Sequence, residues 1–154
     1  MMNTLDTLDT LDTPLDTSLD TPYDIPYDII DIGFIGSVHG LDDNQKSNLF
    51  QQLVRFKRRY TTVNAHHGNY NDADKYFHEL CEKLEFRIYI NTPRHIPRHT
   101  SNPLPYFRNT QVVDFSDVLI ACPFEKVNVV RCGTWSTIRY AEKRKRGVII
   151  LHRY

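Results

Sequence analysis

The stretch Phe107–Leu151, FRNTQVVDFSDVLIACPFEKVNVVRCGTWSTIRYAEKRKRGVIIL, decides the fold. It reads in order as a helical turn, a strand Val118–Ala121, a loop, an amphipathic helix opened by Gly133-Thr134, and a second apolar strand after Gly147. A strand that is apolar at every position is what a parallel sheet covered on both faces requires. The stretch is therefore a βαβ unit. A glycine at the helix start lets another group come close to the backbone, and the first N–H groups have no helical partner and carry a partial positive charge. An anion is expected there.

Upstream, IIDIGFIGSVHG from Ile29 is an apolar strand that breaks into the loop Gly36-Ser37-Val38-His39-Gly40. Asp42 or Asp43 is expected to cap a helix over Asn44–Arg59 that turns Leu49, Leu53, Val54 and Phe56 to the sheet. Thr61–Ala65 reads as a second strand, followed by His66-His67-Gly68, a helix Ala73–Leu84, and a third strand Phe86–Ile90. A proline-rich loop holding Pro93, Pro97, Pro103 and Pro105 leads to Arg108-Asn109, and long loops of this kind are commonly functional. Short apolar strands alternating with helices predict an α/β three-layer sandwich over residues 29–154.

Two blocks, RNTQVVDFSDVLIACP (108–123) and CGTWSTIRYA (132–141), followed by GVIIL, resemble the SLOG superfamily. This Rossmann-like group includes DNA-processing DprA-like proteins, the cytokinin-activating LOG phosphoribohydrolases and nucleotide-sensing domains. The resemblance implies a parallel five-stranded sheet of order 3-2-1-4-5. Ligands of open α/β sheets bind at the switch point, so this order would bring Ser37, His39, Cys122 and Gly133 to one crevice. It also places a phosphate- or ribose-contacting loop at Gly36–Gly40. A family pattern H-G-D-x-x-G-A-D falls on His67, Gly68, Asn69, Asp72, Ala73 and Asp74, with Asn69 in place of the Asp and Asp72 in place of the second Gly. Asp72 would still cap the following helix. The ligand-binding set implied is Gly36, Ser37, His39, His67, Gly68, Asp74, Asn109, Cys122, Pro123, Gly133, Thr134 and Thr137.

The 154 residues suit one domain. No apolar run reaches the roughly 20 residues of a membrane span, and no signal peptide is evident, so a cytoplasmic protein is expected. Three cysteines without a CxxC pair argue against a disulfide framework or a zinc site. Cys81 is read as core. His66 and His67 are adjacent on an extended segment, so their side chains leave on opposite sides, and no metal or cofactor is expected. His67 is read either as a hydrogen-bonding group at the pocket edge or as a solvated loop residue.

Residues 1–28 differ in kind. Leu-Asp-Thr recurs at Leu5, Leu8, Leu11, Leu15 and Leu19, PYDI occurs at Pro22 and Pro26, and the composition predicts a disordered acidic tail. The tail holds seven Asp and no Lys or Arg, which leaves 19 basic against 12 acidic residues, a charge of +7, in residues 29–154. A positive domain suits an anionic partner, and equally a solvated basic face. Trp135 is read as a packing residue before a base-stacking one. Asn109 either enters the site or caps a turn at Thr110–Asp114. Asp117 precedes its strand and is read as structural.

Two function classes stay open. One is binding or sensing of a nucleotide or nucleotide-derived small molecule. The other is cleavage of an N-glycosidic bond of a nucleoside monophosphate, as in LOG-like phosphoribohydrolases or deoxyribosyltransferase-like enzymes. LOG-like sequences carry P-G-G-x-G-T-x-x-E; here the first glycine pair is missing, with Arg131-Cys132 before Gly133, and Thr137 replaces the Glu. Binding is therefore the first reading, with Asp74 the candidate carboxylate if the chain is an enzyme. Nucleic acid ranks behind a small molecule as partner, no membrane partner is expected, and a homo-oligomer is compatible with the sequence.

Overall fold

A computed structural model describes residues 27–91 and 104–154, with backbone alone at Tyr27 and 104–108. Five strands form one parallel sheet: β1 (Tyr27–Gly36), β2 (Tyr60–His67), β3 (Arg87–Ile90), β4 (Val118–Cys122) and β5 (Gly147–Ile150). Their order is β3-β2-β1-β4-β5, as the resemblance implied. The helices are α1 (Asp43–Arg59), α2 (Asp72–Lys83), α3 (Leu104–Asp114) and α4 (Gly133–Lys143).

Side-chain alternation along β1 sorts the core into two halves. Ile30, Ile32 and Phe34 face α1 and α2 with Leu49, Leu53, Val54, Phe77, Leu80 and Cys81. Phe34 and Phe77 stack at 4.5 Å with 6° between their planes. Ile35, on the other side, joins Val112, Val113, Leu119, Ala121, Trp135 and Ile138 beneath α3 and α4. Cys81 is fully buried as expected, and burial raises its thiol pKa well above the ordinary value. Two glycines of β1 permit the close helix packing. A Cβ on Gly33 would run into Ser116 and Val112 of the α3 end, and one on Gly36 would overlap the Cβ of Ala73 in α2.

Several boundaries differ from the sequence reading. β1 begins at Tyr27, two residues inside the segment read as tail; residues 1–26 lie outside the described residues, and so does the proline-rich segment 92–103. α3 starts at Leu104 and takes up the end of that expected loop. Pro105 is tolerated because N–H groups of a first helical turn have no carbonyl partner in any case. Asn109 consequently lies within α3 and is not a cap at Thr110. The α1 cap is Asp42, whose side chain accepts from Gln45 N while Gln45 Oε1 accepts from Asp42 N, a reciprocal capping box. For α2 the cap is Asn71 and not Asp72: Asn71 Oδ1 accepts from Asp74 N at 3.0 Å. The side chain one residue earlier reaches the free N–H, so Asp72 falls inside the first turn. No helix among the described residues is long and apolar enough to cross a membrane.

Candidate functional site

The order of the strands reverses direction between β1 and β4, and in open α/β sheets ligands bind at such a switch point, in the crevice outside the carboxyl ends of the strands. Ser37 N donates to Cys122 O at 3.2 Å and ties the two strand ends together. The β1 loop then turns on itself. His39 N donates to Ser37 Oγ (3.0 Å), Gly40 N donates to Ser37 O (3.0 Å), and Gly40 takes a positive φ of 80° that a side chain would strain. The loop is thus preset, with His39 turned outward.

One rim of the crevice is aromatic and cationic. The His39 ring lies 4.5 Å from that of Phe124, and the Arg153 guanidinium sits 4.6 Å from the centre of the same Phe124 ring while donating to Gly40 O at 3.2 Å. Beneath it, the fully buried Gln45 amide donates to Pro123 O (2.8 Å) and to Leu151 O (2.9 Å), which locks the ends of β4 and β5 to the first turn of α1. Pro123 and Leu151 are buried, so a cap residue that looks local is also the clamp of the crevice floor.

The other rim is the start of α4. Its N-cap, Cys132, makes no side-chain cap, and a Cβ on the exposed Gly133 would meet nothing within 4 Å. Thr134 and Thr137 are buried, and the Thr137 hydroxyl donates back to Gly133 O at 2.8 Å. Glu125 reaches the same place from the β4 loop: its carboxylate accepts from Cys132 Sγ at 3.3 Å, and its carbonyl accepts from Trp135 Nε1 at 3.2 Å. Burial raises the Cys132 thiol pKa, with the Glu125 carboxylate adding to the effect, so the sulfur is protonated at neutral pH. Trp135, 6% exposed, belongs to the core under α4.

Other predicted residues lie elsewhere. Cys122 contributes its carbonyl to the crevice, but its thiol is buried on the α1–α2 side and its pKa is pushed well above the ordinary value by that burial. His67 is neither a pocket-edge group nor a solvated one. It is fully buried between Phe77 and His78, its Nδ1 accepts from Asn69 N at 2.9 Å, and Nε2 lies 2.8 Å from His78 Nδ1. Since Nδ1 accepts, Nε2 carries the proton and donates to His78. Burial, then the neighbouring His78 and His66, lower its pKa to about 4. The alternation of an extended strand puts His66 on the opposite face, 2.9 Å from Asp31. Asp74 is buried, and its Oδ2 accepts from Tyr70 N at 2.7 Å, so this carboxylate braces the loop before α2. Gly68 stands between His67 and the positive-φ residue Asn69.

The sequence reading missed Glu125, Phe124, Arg153 and the clamp made by Gln45. Phe124 and Glu125 were findable, since they follow β4 at the binding end of the sheet. Arg153 was not, because only the closing of β5 beside β4 brings the chain end to the β1 loop.

No family model matches the chain, and no curated protein matches it. Among solved structures, the DNA processing protein A of Helicobacter pylori, described for its single-stranded DNA binding mode, is similar at 15% identity. The overlap covers 87% of this chain and 67% of that one with a TM-score of 0.41. The Rossmann-like class thus rests on the strand order and parallel register seen here.

Proposed function

We propose that this chain is a SLOG-like module that binds a nucleotide or nucleotide-derived small molecule in the crevice between the ends of β1 and β4. The observation that carries the reading is the start of α4, where Gly133 faces open space and no side chain caps the helix at Cys132. An anionic group seated there would take up free N–H donors and the positive end of the helix dipole. Arg153 and the exposed ring of Phe124 supply a cation and an aromatic edge on the facing rim. Ser37, His39, Pro123, Gly133 and Thr134 frame this pocket; Gly36, Cys122 and Thr137 support it through packing and backbone. The two sequence blocks that resemble the SLOG superfamily occupy the strand β4 and this helix start.

A second reading, cleavage of a nucleoside monophosphate at its N-glycosidic bond, gains support from Glu125, which brings a carboxylate to the mouth that lacks one at Thr137. Carboxylates stabilise the positive charge that develops on the sugar, by a few kcal/mol. Glu125 is however already engaged with Cys132, so binding without turnover is the expected outcome. The test is a thermal-shift panel of nucleotides and nucleotide-derived compounds run beside an assay for released base. A ligand that binds only the folded chain must raise its melting temperature. No shift with any compound overturns both readings, and base release that disappears in Glu125→Gln or Asp74→Asn replaces the first reading by the second.

A further inference from the structure

His67 and His78 belong to an oriented relay that the ligand crevice does not use. A backbone N–H can only donate, so Asn69 N, 2.9 Å from His67 Nδ1, fixes the His67 proton on Nε2. Nε2 then donates to His78 Nδ1 at 2.8 Å, which leaves the His78 proton on its own Nε2, facing the Glu82 carboxylate one turn on at 3.6 Å. The relay thus runs from a backbone amide through two rings to a carboxylate. One end meets solvent: His67 is fully buried, whereas the His78 side chain is 30% exposed and that of Glu82 62%. The amide at the other end belongs to the loop 68–71. Asn69 holds a positive φ of 52° there, Tyr70 N donates to Asp74 Oδ2 at 2.7 Å, and Asn71 both caps α2 and donates from Nδ2 to Gly36 O at 3.2 Å. Among the described residues, the charged and titratable groups about the pair are Asp74, Lys75 and Glu82 on α2 and, across the sheet, His66 with its partner Asp31. β1 and β3 turn the uncharged Phe34 and Ile90 to this side.

We propose that this relay is a proton-sensitive latch: protonation of His78 reverses the hydrogen bond between the two rings, moves the His67 proton from Nε2 to Nδ1, and so frees the Asn69 amide and the loop 68–71. The reversal follows from counting donors. Doubly protonated His78 carries a proton on Nδ1, where it meets the Nε2–H of His67, and two donors cannot share that 2.8 Å contact. The pair resolves this with one proton taken from solvent in all. His78 ends with both nitrogens protonated, while His67 stays neutral, accepts at Nε2 and carries its proton on Nδ1. There the proton opposes the Asn69 N–H, which loses its acceptor. Of these two groups the amide is the one that gives way, since it sits on an exposed loop while the ring is buried edge-on against Phe77. Burial keeps the charge off His67, whose pKa is lowered to about 4, so the charge sits on His78 beside Glu82. The release reaches Asn71, and through it the α2 cap and the last residue of β1.

Long-range proton–nitrogen NMR of the imidazole rings tests this on the full-length chain, titrated from about pH 8 to 5, the range in which histidines ordinarily exchange their proton. His67 is expected as the Nε2–H tautomer at the alkaline end and as the neutral Nδ1–H tautomer once His78 has taken its proton. Hydrogen-exchange protection of the Asn69 amide, corrected for intrinsic exchange, should fall by about tenfold or more over the same interval, while that of the β1 core amide of Ile32 should not. His78→Gln keeps an acceptor for His67 but does not titrate, so protection at Asn69 should become independent of pH. Glu82→Gln, at an exposed position that spares the fold, should move both transitions to lower pH by removing the carboxylate that favours charged His78. A His67 tautomer that stays Nε2–H while His78 is protonated, an Asn69 protection unchanged across the titration, or a transition that survives in His78→Gln overturns the proposal.

Discussion

At the scale of single residues, two buried polar side chains carry more than their sequence neighbourhoods suggest. His67 is held neutral by burial, with a pKa near 4 against an ordinary value near 6.5. The unfolded chain therefore binds a proton that the folded one refuses between these values. The stability His67 contributes is fully present above about pH 6.5 and is lost as pH falls towards 4, to the extent of about 3 kcal/mol. Melting temperature should drop across that window, and the drop should be shallower in His67→Gln, where no such proton is taken up; equal slopes in both proteins would refute the assignment. Gln45 offers the second case. Gln45→Leu would leave the carbonyls of Pro123 and Leu151 without their donor, at a cost of about 1–3 kcal/mol. Urea unfolding reads this directly, and a loss no larger than a few tenths would show that the clamp is dispensable. The capping-box spacing of Asp42 and Gln45 was legible in the chain; the amide's reach across to two other strands was not, since it depends on residues 78 and 106 positions away.

At the scale of elements, α4 is where fold and proposed function meet. Its apolar side closes the core through Trp135, Ile138 and Ala141, while its first residue stays exposed. Gly133→Val should leave the fold intact, because a side chain there meets no neighbour, and should abolish binding of any nucleotide that shifts the wild-type melting temperature. Calorimetry with that ligand checks it, and unchanged affinity would move the site away from α4. The opposite holds for Gly36. A Cβ there would overlap Ala73, so Gly36→Ala is expected to destabilise by about 1–3 kcal/mol whatever its effect on ligands. Two glycines that look alike in a motif thus have different reasons, one an open approach and the other a helix pressed against a strand. The α2 cap shows the same limit of spacing arguments: Asn71 and Asp72 are both good caps by type, and only the path of the loop from Asn69, with its positive φ of 52°, decides that Asn71 reaches the N–H of Asp74.

For the molecule as a whole, charge and composition divide the chain unevenly. The first 28 residues hold seven Asp and no basic residue. By composition alone, so polar a segment is expected to bury too little apolar surface to offset the entropy of ordering it. Deleting residues 1–26, which stops short of β1, should change the melting temperature by no more than a degree or two, the scale of a few tenths of a kcal/mol; a fall of many degrees would show that the tail packs on the domain. The architecture itself was determined by the sequence: apolar runs at Ile32–Ile35, Val118–Ala121 and Val148–Leu151, separated by helices with one apolar side, fit a parallel sheet covered by helices, because period and length are local properties of the chain. Tertiary structure alone decided which side chains reach the crevice. Cys122 and His67 stand at the expected positions, yet strand alternation turns both into the α1–α2 core. Phe124 and Arg153 come together only because β5 docks beside β4 and carries Arg153 back to the β1 loop. A side chain's face and its distant partners follow from register and sheet order, and these are set by pairings between segments that no local stretch of sequence contains.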